Sequence, residues 1–117
     1  MDAKLDTSGP PPVTVTVSNL TDPPTVTCDP HTVVVTQANS LVVFNLATPG
    51  YAFPATGSVV VQDGGGEFPN LWSISASQVA LHDLCEIPAA YDYNVVVVEI
   101  ESGKPFTVDP KISNEPH

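Results

Sequence analysis

Arginine is absent from this 117-residue chain, and lysine occurs only at positions 4, 104 and 111. Between Lys4 and Lys104 there is no permanent cation. Proteins that hold nucleic acid replace phosphate counterions with Lys and Arg, and attraction to an anionic membrane needs the same residues. Neither nucleic acid nor a membrane is therefore an expected partner. Thirteen Asp and Glu bring the formal net charge to −10, which favours solubility. Carboxylates without basic neighbours have three outlets: water, backbone N–H groups, or a bound cation.

Other scarcities narrow the reading further. No apolar run approaches the length of a membrane span, and "MDAKLDTSGPPP" has no apolar centre of the kind a signal peptide carries. The expected compartment is the cytoplasm. Thiols stay reduced there, so Cys28 and Cys85 are expected as free, small core residues. A Cys28–Cys85 disulfide is the alternative. Helical periodicity is almost missing from the chain.

What is abundant is proline, valine and threonine. Thirteen prolines are about twice an ordinary usage of roughly 5%. They lie between apolar runs, as loop punctuation. "VTVTVS" (13–18) alternates cleanly, placing Val13, Val15 and Val17 on one face of a half-buried strand. "TVTC" (25–28) and "TVVVT" (32–36) continue in β-branched residues that suit a pleated sheet. "LVVFNL" (41–46) points Val42, Phe44 and Leu46 inward. "SVVVQ" (58–62) is short. "WSISAS" (72–77) puts Trp72 and Ile74 on one face, in phase with the core. Trp72 is thus expected between two sheets, near Phe44 and Val96 or Val98. "YNVVVVEIE" (93–101) reads as a central strand buried on both faces, and "PFTVD" (105–109) closes the set. The segment "SQVALHDLCEI" (77–87) fits either a strand or a short helical turn.

Turn signals separate these runs: "TDPP", "CDPH", "QANS", "TPG", "DGGGE", "EIPAA" and "ESGK". One sheet cannot cover both faces of so many apolar strands. The pattern predicts an all-β fold, a two-sheet antiparallel Greek-key β-sandwich of seven or eight strands. Residues 1–12 read as a flexible proline-rich tail, and 13–117 as a single domain. Within the sandwich, Tyr91 or Tyr93 looks like the tyrosine corner of immunoglobulin-like domains, whose hydroxyl bonds a loop backbone.

No constellation in the sequence carries catalysis. The serines of "WSISAS" lie on a polar strand face, and no nucleophile motif surrounds them. Glu99 and Glu101 share one face at a strand end, where solvation is the ordinary state. "QDGGGE" has neither the lysine nor the helix of a phosphate loop, and its acids, Asp63 and Glu67, read as solvated at a hairpin tip. His82, Asp83 and Glu86 surround the one soft-ligand pair close in sequence, His82 and Cys85. A metal or enzyme site there is the second reading of function. The outline "SLVVFNL" followed by "YDYNVVVV" looks cupredoxin-like. However, a type 1 copper site needs two histidines, a cysteine and usually a methionine, and "ATPGYAF" and "ESGKPF" supply none.

The C-terminus, "VDPKISNEP", resembles the signature of the DP-EP family, small bacterial proteins named for Asp-Pro and Glu-Pro near their ends. The residues that carry the resemblance are Asp109, Pro110, Ile112, Asn114, Glu115 and Pro116. Less specific likeness runs through "DPHTVVV", "LVVFNL" and "YNVVVV". The resemblance implies a bacterial setting and brings no activity, substrate or cofactor. From the residues themselves, Ile112 is the apolar anchor that draws the tail from Asp109 to Pro116 into the fold. Prolines lower the entropy lost on ordering it, and Asp109 and Asn114 can turn the chain by accepting N–H bonds. The functional expectation is a non-catalytic, cofactor-free binding or self-assembly module. Valine-rich strands without lysine leave sheet edges unguarded, so a homo-oligomer through edges or faces is the expected partner.

One consequence is directly measurable. Addition of Cu(II) to the purified protein should give no intense blue absorption, and a stoichiometric blue species would refute the reading of the histidine and methionine positions.

Overall fold

The alternation of valine and threonine at the start of the chain sets the first strand, and the same rule of two governs most of those that follow. The structure, a computed structural model, describes residues 10–116. Its strands are β1 (Val13–Ser18), β2 (Thr25–Asp29), β3 (Thr32–Val35), β4 (Ser40–Leu46), β5 (Tyr51–Ala52) and β6 (Val59–Val61). They continue as β7 (Leu71–Ser75), β8 (Gln78–Asp83), β9 (Ala89–Glu99), β10 (Pro105–Val108) and β11 (Lys111–Asn114). The ambiguous segment 77–87 is therefore strand for most of its length. No helix forms among the described residues. The tail expected over residues 1–12 lies mostly outside them; Pro10, Pro11 and Pro12 run without regular structure into β1.

Two sheets face each other across an apolar core. One has the order β2-β1-β4-β8-β7. The other is built on β9, which pairs with β10, β11, β5 and β6, while β3 joins through β11. Val13, Val15, Val42, Phe44 and Val79 enter the core from the first sheet, and Val33, Val35, Tyr93, Val95, Val97 and Ile112 from the second. Phe44 and Tyr93 meet edge to face at 5.7 Å between ring centres, a favoured aromatic geometry.

The sandwich expected from the pattern is present, with two refinements. It has eleven strands, because β5, β8 and β11 add to the eight apolar runs. Its sheets are also mixed rather than wholly antiparallel. β1 lies parallel to β4, and β11 lies parallel to β3. Both parallel contacts follow from the chain crossing between sheets. After β2 it leaves for β3 in the opposite sheet and returns as β4, so β4 meets β1 without a hairpin.

The C-terminal segment is the most informative part of the fold. Val108 pairs with Val95, and Lys111 pairs with Asp92, in one continuous antiparallel register. β10 and β11 are thus two pieces of a single arm folded back along β9, and Asp109-Pro110 is the interruption. Pro110 has no N–H to give, yet its carbonyl still accepts the Tyr93 N–H at 3.1 Å. Past this point the arm gains β3 as a second neighbour. Ile112 is fully buried and Asn114 nearly so. The tail belongs to the fold, anchored by Ile112. Asp109 itself is exposed, and Asn114 reaches across the molecule rather than turning its own backbone.

Trp72 is not in the core. It is 47% exposed, and Ile74 is 56% exposed. β7 is an edge strand, and its register shifts between Ser73 and Ser75. Leu71 packs against the core cluster instead, so the strand faces the opposite way from the phase read in the sequence. The pattern of alternation was visible there, but not which of its two faces turned inward. Tyr93 forms no tyrosine corner: its hydroxyl is buried without a hydrogen-bond partner among the described residues, while Tyr51 Oη donates to Asn19 Oδ1 at 2.8 Å. Cys28 and Cys85 are both buried and free.

These placements separate two truncations. Ile112→Ala should destabilise the protein by about 2–5 kcal/mol, as large aliphatic truncations in cores do. Trp72→Ala should cost only about 1 kcal/mol, because most of its loss is surface contact. Urea unfolding of both variants checks the order, and equal costs would contradict the burial described above.

Candidate functional site

Two acids without basic partners, Glu67 and Asp83, meet at one loop. The segment 84–88 joins β8 to β9 and carries four successive N–H groups before Pro88, which has none. Each finds an acceptor. Leu84 N–H donates to the Glu67 carbonyl at 2.8 Å. Cys85 N–H donates to Asp83 Oδ1 at 2.9 Å. Glu86 and Ile87 N–H both donate to Glu67 Oε1, at 2.9 and 3.0 Å. Cys85 takes a positive φ of 52°, which turns successive amides toward a common side. That arrangement forms an anion-binding concavity, and here the anion is the protein's own Glu67.

Glu67 is 4% exposed, so it is no solvated hairpin acid. The glycines before it explain how it gets inside. Gly64 accepts the Glu67 N–H at 3.1 Å, closing a tight turn. A Cβ on Gly64 would lie 2.9 Å from the ring of Phe68, so the turn closes only around glycine. Phe68 in turn packs edge-on against Tyr91 at 5.0 Å. Asp63 stays exposed. The turn 63–66, Glu67, Glu86, Ile87 and Tyr91 line a groove of about 390 Å³.

Asp83 lies beneath this loop and is completely buried. Its Oδ1 also accepts the Asn114 side-chain N–H at 2.8 Å. This bond crosses from the first sheet to the second and ties the C-terminal arm to the groove loop. A second link runs parallel to it, from Cys85 Sγ to the Val35 carbonyl at 3.2 Å. Burial raises the Asp83 pKa above its ordinary value; the bonds from Asn114 and Cys85 oppose the rise, and nearby Glu67 adds to it. Burial also raises Cys85, with the charge of Asp83 adding to the effect. Tyr91 is raised by burial and then by Glu67. Cys28, in the core, is pushed up to about 11 by burial, so neither thiol is an activated nucleophile.

The three residues of the second functional reading do not share one surface. Adjacent residues of a strand point to opposite faces, so His82 turns outward while Asp83 turns in. His82 Nδ1 meets Asn70 Nδ2 at 3.1 Å, and Nε2 meets Asn39 Oδ1 at 3.1 Å. These partners place the proton on Nε2. The ring stacks on Trp72, with centres 5.8 Å apart and planes 24° from parallel. Glu86 is exposed on the loop. Among the described residues, no three His, Cys, Asp or Glu side chains gather as metal ligands.

Of the motif residues, Pro110, Ile112 and Asn114 are buried, and Asp109 and Glu115 are exposed. Glu115 N–H donates to the Val35 carbonyl at 2.8 Å, which carries the parallel pairing one residue past β11. Its carboxylate accepts the Ser113 hydroxyl at 2.9 Å. Sequence reasoning missed Glu67 and the partnership of Asp83 with Asn114. The one available signal was the surplus of acids, since backbone capping was among their outlets.

Removing the Glu67 carboxylate should expose its role. Glu67→Ala leaves the Glu86 and Ile87 N–H groups without their acceptor and should cost about 2–3 kcal/mol. Glu67→Gln, which keeps a carbonyl oxygen, should cost less. Amide exchange at residues 86 and 87 should accelerate in both. Unchanged exchange in the alanine variant would show that the carboxylate does not hold the loop.

No family model matches this chain and no curated protein matches it, so the site is read from its own geometry.

Proposed function

We propose that the protein is a non-catalytic binding module that pairs with a second copy of itself through the outer face of the five-stranded sheet. The observation that carries this reading is the distribution of charge on that face. In a chain of net charge −10, strands β1, β4, β8 and β7 place no Asp, Glu or Lys outward. Trp72, Ala80 and Val43 form one cross-strand row, and Leu41 lies opposite His82 in the next. Gln78 and Asn45 bond to each other in a third row at 2.8 Å. Asp29 on β2, at the far edge, is the first charge met.

Two copies carrying this much negative charge repel wherever acids face one another. Their approach costs least through the face that has none. Trp72, Ile74 and Leu41 are each about half exposed, and aromatic and aliphatic anchors of this kind dominate association energies. The bulge at Ser73–Ser75 blunts edge-to-edge pairing, which favours face packing over strand addition. The free thiols suit a reducing compartment, consistent with a cytoplasmic protein. The C-terminal motif supports membership of the DP-EP family, with the motif acting as structure: its buried members hold the arm to β3 and to β8. The enzyme or metal reading draws no comparable support, because His82, Asp83 and Glu86 lie on three different surfaces.

Sedimentation equilibrium over a wide concentration range tests the proposal. The wild-type chain should dimerise, and Leu41→Asp with Ile74→Asp should return it to monomer without lowering its unfolding midpoint. A wild-type chain that stays monomeric at millimolar concentration would overturn the reading.

A further inference from the structure

Besides the Tyr93 hydroxyl, two buried side-chain oxygens among the described residues have no hydrogen-bond partner: Asp83 Oδ2 and Asn114 Oδ1. They belong to the two side chains already joined through Asp83 Oδ1 and Asn114 Nδ2. Both residues are at least 99% buried. Buried polar atoms are nearly always paired, and each exception calls for an explanation. Two acceptors cannot satisfy one another, and an ionised carboxylate is acceptor only. A single proton resolves both. A carboxyl group and an amide have matching forks, one acceptor beside one donor, and one of the two possible bonds is already made. We infer that Asp83 is held in the native fold as the neutral acid, with its Oδ2–H donated to Asn114 Oδ1, and that this two-bond pair latches the C-terminal arm to the groove loop until the proton is lost.

The surroundings favour the neutral form. From the β6–β7 connection, Glu67 faces the site. From the loop itself comes Cys85, and from β9 Tyr91. β4 contributes Ser40, the cross-strand neighbour of Asp83, and β3 contributes Val35. Only His82 could bring positive charge, and it points to the outer face. Ionising Asp83 would thus bury a second negative charge near Glu67 with no cation to meet it, which is costly in a dry interior. Its raised pKa has the same origin.

The consequence for pH follows from proton counting. The ordinary Asp value is 3.8, and the native value lies above it. Between the two, the native state binds more protons than the unfolded state. The latch contributes fully below the unfolded value and is lost as pH rises through the native one. Losing the proton removes the Oδ2–H bond and leaves Asn114 Oδ1 facing a buried carboxylate, while the Asn114 and Cys85 N–H donors stay on Asp83 Oδ1, so the arm loosens where it meets the groove loop.

The test is the carboxyl carbon signal of Asp83 followed by NMR across pH in the full-length protein, together with Asp83→Asn. An amide reproduces the donor and acceptor of the neutral acid. The Asp83 carbon should keep the protonated shift above pH 3.8, the ordinary value for this side chain. Asp83→Asn should fold with a folding constant equal to or above that of the wild type. Relative to this variant, the wild-type folding constant should fall by up to about tenfold per pH unit inside the window, the limit for one proton. An Asp83 titration midpoint at or below that ordinary value would overturn the inference, with or without a foldable variant. So would a hundredfold loss of folding constant in Asp83→Asn, which would mean that the charge itself was being used.

Discussion

Register along β9 is the constraint on which the rest of the molecule depends. Five other strands join β9 in the second sheet, and four of them pair with it directly. A one-residue slip would turn Tyr93, Val95 and Val97 away from the core and bring Val96 and Val98 inward. The same slip would carry the arm with it, because β10 and β11 share one register. Ile112 would then face solvent, and Asn114 would lose Asp83. The core, the C-terminal motif and the groove loop are therefore fixed by one alignment.

The acid surplus and the missing cations are two sides of one design. An exposed ion pair joins Lys111 to Asp92, and such surface pairs contribute little. The acids that matter structurally are the two that avoid water. Glu67 serves three N–H groups of the 84–88 loop through its carbonyl and carboxylate, and Asp83 serves the remaining one. A loop with no regular hydrogen bonding of its own is thereby held as firmly as a strand. Its backbone donors are all engaged within the chain. On that side of the groove, whatever enters meets the side chains of Ile87 and Glu86, with Tyr91 beside them, rather than the loop's amides.

Much of this was legible in the residues, for physical reasons that can be named. Alternation at Val13, Val15 and Val17 has one solution, since threonine on the other face cannot form a core. The tail was legible because Ile112 stands alone among polar neighbours, so its burial decides where the segment goes. Trp72 failed the same test. On β7 both faces carry residues that tolerate exposure, serine on one side and large apolar groups on the other. The bulge and the edge position, which sequence does not announce, decided between them. Glu67 was hidden for a different reason. Its environment is made by a loop 17 to 20 residues later and by Gly64, which leaves room for Phe68, and neither leaves a periodic trace.

The arrangement of the second sheet also bears on the order of events during synthesis. Chains leave the ribosome from the N-terminus, and domains fold as their parts become available. β3, β5 and β6 emerge early, yet β5 and β6 wait for β9, and β3 waits for β11, the last strand of all. Until residue 99 is free of the tunnel all three strands lack these neighbours, and β3 lacks its own until residue 114 emerges. Exposed valine-rich segments of this kind are the usual seeds of aggregation. A nascent chain rich in carboxylates and poor in cations repels its own copies on neighbouring ribosomes through that interval. The negative charge thus guards the protein at the stage when its central strand does not yet exist.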